Sequence, residues 1–541
     1  MSIAHSPTEN SSIFNEDAWS SFVKKVEEKF ELKKYPQFDS YFNFPKEKDK
    51  LKQLVSDQTG KKVGAHPFLP FVKIIVKTPR YRYQKDPSRD PMELSAKERE
   101  QFYEFEIKPR PISFASHFDT YLYGFYSFVL TEKYQDYIKS EGFDSSVLAY
   151  RTDLNGKSNI QFAKDAFDEV RSLSEVGACT AIAIDIKGYF DSIDHKILKK
   201  NWCKLLNVDQ LSIDQYRIFR SLTEYSYVNK DSILKHFKVN LRKKKRRNET
   251  WQTLLDLIPD ELAGETFLDK FKLLRSQKLI SQNKPKQIKG TVKICGIPQG
   301  SSISAFLSNL YLVDFDNALF KLSGEMDFVY RRYCDDILII CPSHLAKDIN
   351  ERLQLEIDKC ELEVQNDKTE LIEFKKNSKG AIRAFNRKKI EAKQIEVTKD
   401  NEQIFYKNLQ YLGFEFNGQN AYIRPGSLSR YFRKMKARIT KTIMMARGRN
   451  SKSIDIFKAQ LYHRYTHLGR KNFLNYAYKA SKKYYQNSKG VFKEGLNSPK
   501  IKAQLSKHFD ILKRELTLTD AQFLSKKRKR ARKLRATPKS S

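Results

Sequence analysis

Phe328-Val329-Tyr330-Arg331-Arg332-Tyr333-Cys334-Asp335-Asp336-Ile337-Leu338-Ile339-Ile340 is the stretch on which the reading of this chain turns. Two apolar, β-branched runs flank a short polar break, the pattern of two strands joined by a tight turn. The turn holds adjacent carboxylates, Asp335 and Asp336. Two ionised acids side by side repel each other unless a cation compensates them. Magnesium, which takes hard oxygen ligands and usually one or two carboxylates with substrate phosphates, suits such a pair. An Asp-Asp turn is also common in its own right, so the pair gains meaning only from its surroundings.

Upstream, Thr180-Ala181-Ile182-Ala183-Ile184-Asp185 reads as a buried strand ending on an acid, and Asp185 can complete a cluster with the pair. Between them lies Gly296-Ile297-Pro298-Gln299-Gly300-Ser301-Ser302-Ile303-Ser304. Pro and Gly fix a tight loop there, while Gln and Ser offer donors and acceptors to a nucleotide or template base. A plain strand-to-helix turn is the simpler reading of that loop. Further out, Pro67–Val76 reads as a strand, 77–100 as an exposed loop, and Ala18–Phe30, Phe118–Ile138 and Ile303–Leu322 as helices. A hairpin is expected around Asn417-Gly418, and helical, basic sequence from about residue 427.

Lys and Arg total 101 against 65 Asp and Glu, a formal charge of +36. Such a surplus favours polyanionic partners, nucleic acid first among them. No run approaches the ~20 apolar residues of a spanning helix, so no membrane partner is expected. Six cysteines without a metal-ligand spacing, Cys179, Cys203, Cys295, Cys334, Cys341 and Cys360, fit a reduced, cytoplasmic protein. Two basic runs stand out: Arg242, Lys243, Lys244, Lys245, Arg246 and Arg247, and the tail Lys526, Lys527, Arg528, Lys529 and Arg530. Each reads equally as a solvated face or as a nucleic-acid contact.

The order of these blocks resembles motifs A, B and C of reverse transcriptases. Lys108-Pro109-Arg110-Pro111-Ile112 is similar to the fingers segment that grips the triphosphate, Asn366-Asp367-Lys368-Thr369-Glu370 to motif D, and Tyr411-Leu412-Gly413-Phe414 to the primer grip. The resemblance implies a right-hand polymerase of α/β (α+β) class, with fingers and palm followed by an α-helical thumb and C-terminal region. On it, residues 1–60 form an N-terminal extension, 61–425 the fingers and palm with a helical insertion at about 195–287, and 426–541 the thumb and basic end.

The implied chemistry is RNA-directed DNA synthesis by two-metal phosphoryl transfer, with two Mg2+ ions (Mn2+ as a substitute) about 4 Å apart. Asp185, Asp335 and Asp336 are the implied catalytic acids and, with the carbonyl of Ile186, the metal ligands. Lys108, Arg110, Phe190, Gln299 and Lys368 are the implied nucleotide contacts, and Tyr411, Leu412 and Gly413 the primer grip. Phe190 stands where the family places a bulky gate against a ribose 2′-hydroxyl, which implies deoxynucleoside triphosphates; packed core, with Tyr189 facing the substrate, is the alternative.

The N-terminal extension, the Ser427–Met435 segment and the helical end resemble bacterial defence-associated, abortive-infection reverse transcriptases, relatives of retron and group II intron enzymes. That narrower resemblance implies a role against phage, an RNA template, a structured non-coding RNA partner, a DNA product and homo-oligomers. Two other readings stand beside it. One is a retron- or intron-type enzyme serving element mobility or RNA maturation. The other is a catalytically idle RNA-binding protein with a polymerase shape, against which the intact acids argue.

Overall fold

The β-branched run Val72-Lys73-Ile74-Ile75-Val76 opens a long strand, β1 (Phe71–Tyr83), which turns back as β2 (Tyr103–Phe114) in a computed structural model of the chain. The structure describes residues 12–83, 95, 98, 102–239, 253–288, 290–448, 456–487 and 490–536. The remaining strands are, in chain order, β3 (Cys179–Asp185), β4 (Ser226–Asn229), β5 (Ile280–Gln282), β6 (Lys286–Ile288), β7 (Thr291–Lys293), β8 (Val329–Tyr333) and β9 (Asp336–Pro342). They continue as β10 (Glu370–Lys376), β11 (Ile382–Asn386), β12 (Leu409–Tyr411), β13 (Phe414–Phe416), β14 (Ala421–Ile423), β15 (Tyr484–Gln486) and β16 (Phe492–Glu494).

Two compact units emerge: Met1–Asp153, Ile184–Ile337 and Asp348–Thr369 form the first, and Leu154–Ala183, Leu338–Lys347 and Glu370–Ser541 the second. They cut across a division at residues 60 and 425. Strands β11, β10, β3, β9 and β8 lie in that order in one five-stranded sheet. The first unit holds the ends that bear the acids.

In the first unit, β1 and β2 belong to a four-stranded sheet of order β2-β1-β4-β5. Since β4 pairs only with Phe71–Lys73, most of the β1–β2 ribbon extends past its neighbour. β2 is the sheet's edge, which is where Pro109 and Pro111, lacking an N–H, are tolerated. The helix His117–Ser140 is buried along much of its length, as its aromatic content predicts. Trp19 and Phe22 of the helix Glu16–Glu27 pack edge-on to its Phe125, at 5.7 and 5.6 Å between ring centres, so the described part of the N-terminal extension belongs to this core.

Two expectations need correction here. The 195–287 segment is not helical throughout: β4 and β5 interrupt its helices, and Val228, Leu254, Phe271 and Leu274 share an apolar cluster with Val72 of β1. Short strands of this kind are specified by their neighbours rather than by their own pattern. Similarly, 77–100 is not loop from its start, because β1 continues to Tyr83.

In the second unit, Phe167 of the helix Asn159–Val176 stacks on Phe416 of β13 at 4.8 Å. The helix Pro425–Ala446 packs on the last helix, His508–Ala536, bridged by Lys436–Glu515 (2.8 Å) and Arg447–Asp520 (3.0 Å). Among the described residues after 427 the helices are interrupted by the hairpin β15–β16, a departure from the expected all-helical end. All six cysteines are buried and free. Among the described residues no helix is long and apolar enough to cross a membrane. The mixed helix-and-strand class expected from the sequence is the one observed.

Candidate active site

Asp185 is the last residue of β3, half-buried where the apolar run Ala181–Ile184 ends. A short antiparallel contact with the segment before β10 fixes it. Gln365 N–H donates to the Asp185 carbonyl and Lys187 N–H to the Glu363 carbonyl, both at 2.9 Å. Ile186 faces Val364 between these bonds. That is the non-hydrogen-bonded position of an antiparallel pair, so this pairing leaves the Ile186 carbonyl available to another ligand.

Asp335 sits in the turn between β8 and β9. Cys334 before it adopts φ +59°, a left-handed conformation that costs a non-glycine residue about 1 kcal/mol or more. The feature that holds this turn was not read from the sequence. Period-two alternation in β8 turns Tyr330 and Arg332 inward, and Arg332 is wholly buried. Its guanidinium meets the equally buried Asp316 at 2.7 Å through Nε, and donates to Asn309 Oδ1 (3.2 Å) and to the Cys334 carbonyl (3.1 Å). Tyr330 adds a hydroxyl bond to Asp316 Oδ1 at 2.6 Å. A buried arginine thus grips the backbone of the turn that presents the acids. No local signal gave it away, since Arg331 and Arg332 stand side by side and only Arg332 turns inward.

Electrostatics separate the two acids of the turn. Burial, and then the negative charge of Asp185, push the Asp335 carboxyl above its ordinary value, while its own backbone N–H and Lys368 work against the shift. Asp336 is exposed, as expected for the next residue along a strand, and its charge is felt by the Tyr333 hydroxyl, whose pKa is raised chiefly by burial. Among the described residues no group of three or more His, Cys, Asp or Glu side chains is arranged to hold a metal ion. Asp185 and Asp335 lie near enough for the charge of one to raise the pKa of the other. The donor set suits a hard divalent cation: two neighbouring carboxylates with a carbonyl beside them.

Cations surround this pair. Lys368, at the end of the 3-10 turn Asn366–Lys368, places its ammonium on Asp185 Oδ2. Lys108 and Arg110 lie two apart on β2 and so share a face. The Lys108 pKa is lowered by partial burial and then by the positive charges of Lys368, Arg110 and Arg80, with Asp185 opposing. One positive field therefore spans the ribbon, the 3-10 turn and the acid of β3.

The loop before the helix Ser304–Tyr311 is tied to both neighbours. Ser113 N–H of β2 donates to the Gln299 carbonyl at 2.8 Å, and Ile297 N–H donates to the Phe190 carbonyl at 2.9 Å. Gly300, at φ +115°, lies so near β2 that a Cβ would come within 2.8 Å of Ile112 Cγ2. The serines hold the loop itself: Ser304 Oγ donates to the Pro298 carbonyl (2.7 Å) and pairs with Ser301 Oγ (2.8 Å), while Ser302 Oγ donates to Thr120 O (2.7 Å). Gln299 and Ser302 have exposed side chains there, and the Ser302 hydroxyl is already bonded to Thr120. Tyr189 is buried and its hydroxyl donates to the Ser308 carbonyl, whereas Phe190 beside it is partly exposed.

Tyr411, Leu412 and Gly413 form the β12–β13 turn in the second unit, with positive φ at Leu412 (+46°) and Gly413 (+91°). Arg242–Arg247 lie outside the described residues. Lys526, Arg528 and Lys529 are exposed on the last helix, which also contains Lys527 and Arg530. His463 and His467, four apart in sequence, share no helix, because the helix ends at Tyr465; His467 Nδ1 instead faces His508 Nε2 at 3.3 Å.

The strand-end acids, the glycine-bent loop and the cationic ribbon all belong to the first unit. Residues 237–416 match the family model described as reverse transcriptase (RNA-dependent DNA polymerase). The chain carries a reverse-transcriptase domain, the domain of RNA-directed DNA polymerases, and with it the right-hand fold. The match takes in Gln299, Asp335, Asp336, Lys368 and the β12–β13 turn, and it begins after Asp185 and the ribbon. Among solved structures the chain is similar to telomerase from Candida albicans in complex with a TWJ fragment of telomeric RNA, at 13% identity over 80% of this chain and 55% of that one, with a TM-score of 0.34. It is also similar to apo telomerase from Candida tropicalis truncated from its C-terminal domain, at 13% identity over 71% of this chain and 61% of that one, with a TM-score of 0.34. The chain thus spans little more than half the length of these telomerases. None of the curated proteins matches.

Proposed function

We propose that this protein is an RNA-directed DNA polymerase whose metal site is built on Asp185 and Asp335. The observation that supports this most is the shared field of these two acids with Lys108, Arg110 and Lys368. Phosphoryl transfer asks a protein mainly for positioning and charge neutralisation, and that field supplies both signs. Asp185, Asp335 and the Ile186 carbonyl would hold magnesium, with Asp336 supporting from the exposed side. The bound ions would stabilise the attacking hydroxyl and the leaving pyrophosphate.

Arg110 and Lys108 clamp the triphosphate, Arg by its planar fork. Lys368, which pairs with Asp185, would be placed to assist the leaving group. Gln299 touches the nucleotide or its template base, and Phe190 closes the sugar site to a 2′-hydroxyl. Tyr411, Leu412 and Gly413 steady the primer end. Residues 61–425 serve as fingers and palm and 426–541 as thumb and basic end, with Lys526, Arg528 and Lys529 toward nucleic acid.

We further infer antiphage defence in a bacterial cytoplasm, with a structured non-coding RNA as template or scaffold and self-association of the chain. The sequence texture of Ser427–Met435 and the basic helical end support this finer reading. The test is nucleotide incorporation by purified protein with magnesium, deoxynucleotides against ribonucleotides, with and without added or co-purified RNA. Incorporation of deoxynucleotides that Asp335→Ala abolishes is the expected result, with Phe190→Ala admitting ribonucleotides. No incorporation on any template, with RNA binding equal in both proteins, overturns the polymerase reading.

A further inference from the structure

Far along the chain from the acids, the first unit contains a cleft of about 900 Å3 between the helix Phe267–Ser276 and the run Ile280–Pro285, floored by Phe68 and Leu69 before β1. We propose that this cleft is a binding groove for a single strand of RNA. The choice of RNA rests on the polymerase reading above; the groove itself rests on the following chemistry.

Large apolar side chains stand open at its mouth: Phe267 is 48% exposed, Leu268 61% and Ile294 51%. Solvated apolar groups clustered in a concavity mark a binding surface. The Phe267 ring is held in place, stacked on Phe271 at 4.8 Å, and Phe271 in turn packs on Phe38 at 5.0 Å inside the apolar cluster. It is a supported shelf rather than a loose side chain.

Cations complete the lining. Helical spacing places Leu268, Lys272 and Arg275 at i, i+4 and i+7, one stripe of one face. Lys278 and Lys284 add two more, and among the described residues no Asp or Glu lines the cleft. Arg275, Lys278 and Lys284 form no ion pair among the described residues, and Lys272 lies 3.6 Å from Asp269.

An aromatic floor with a cationic rim is what an unpaired strand requires, since its bases stack on rings while its phosphates meet Lys and Arg. A duplex keeps its bases internally stacked and would leave Phe267 and Leu268 wet. The long 195–287 segment thereby gains a purpose beyond its packing on β1.

The test uses the full chain, a uridine-rich single-stranded RNA and its blunt duplex. Photocrosslinked peptides are mapped, and affinity is read by anisotropy across salt concentrations. The expected result is a crosslink within 67–70 or 267–285, weak competition by the duplex, and about a tenfold loss of affinity in Lys272→Glu/Arg275→Glu/Lys278→Glu. The salt slope of that variant should fall by about 2, from three lost phosphate contacts at ~0.7 each. Phe267→Ala, at an exposed ring, should lose the crosslink with an unchanged melting temperature. Absence of a crosslink in both 67–70 and 267–285, equal competition by duplex, or equal competition by an acidic peptide would each overturn the groove. A cleft crosslink in a protein that incorporates no nucleotide would leave the groove standing and sink the polymerase reading; incorporation without a cleft crosslink would do the reverse.

Discussion

Two ion pairs flank the same turn and behave as opposites. Arg332–Asp316 lies behind it with both side chains at zero exposure, while Lys368–Asp185 lies in front with its members 42% and 24% exposed. The buried pair is saturated with hydrogen bonds, to Tyr330, Asn309 and the Cys334 carbonyl. Breaking a pair of that kind strands a charge in an apolar medium, so it stays made. The front pair is in reach of water and contributes little to stability. One fixes geometry, and the other can exchange its partner. In the proposed polymerase the first would serve as a rigid frame for the acids and the second as an exchangeable cation.

The sharpest way to break the comparison is to remove the acid between the pairs. Asp335→Ala should lower deoxynucleotide incorporation by about 10³ or more, several kcal/mol of lost charge stabilisation, in single-turnover assays. Next comes the frame. Asp316→Ala should cost about 3–5 kcal/mol in urea unfolding, whereas Asp316→Leu combined with Arg332→Met should recover most of that stability. The double variant should remain poorly active, because the Cys334 carbonyl has lost its donor.

The front pair should respond differently. Lys368→Ala should leave urea unfolding within about 0.5 kcal/mol of the parent while lowering the rate about 10²-fold, the range of a lost proton donor. A stability loss as large as that of Asp316→Ala would erase the distinction between the pairs.

Smaller effects come from the turn itself. Asp335 has a folded pKa above its unfolded one, so its contribution is present at acid pH and is lost as pH rises through the folded value. At neutral pH its charge is a cost. With a chelator present, Asp335→Asn should therefore raise Tm by about 2 °C at pH 7.5, and the gain should vanish below about pH 4. Smallest of all, Cys334→Gly should relieve the φ of +59° and stabilise by up to about 1 kcal/mol, visible as slower thermal unfolding.

What the sequence could express was whatever repeats locally. The strands at 179–185 and 329–342 are legible because apolar runs stop abruptly at acids, and the aromatic density of 118–138 announces a buried helix. β4 and β5 were not legible: four and three residues show no period, and they are strands only because β1 offers an open edge. The hairpin β15–β16 hides in lysine-rich sequence that reads as helix surface. Arg332 was invisible for another reason. Its burial depends on Asp316, sixteen residues upstream on a helix, and no local pattern encodes that meeting. The serines of the 301–304 loop read as ligand donors, yet the hydroxyls of Ser301 and Ser304 close the loop on itself and that of Ser302 ties it to Thr120.

The buried thiols have a practical consequence. Burial pushes Cys334 and Cys179 up to about 11 and Cys341 and Cys360 up to about 12. At neutral pH roughly one in a thousand or fewer of these groups is the nucleophilic thiolate. Maleimides should thus pass over the native chain, Cys334 at the catalytic turn included. A single cysteine installed on the exposed face of the β1–β2 ribbon would then accept a fluorophore with no background, and no native thiol would first have to be removed.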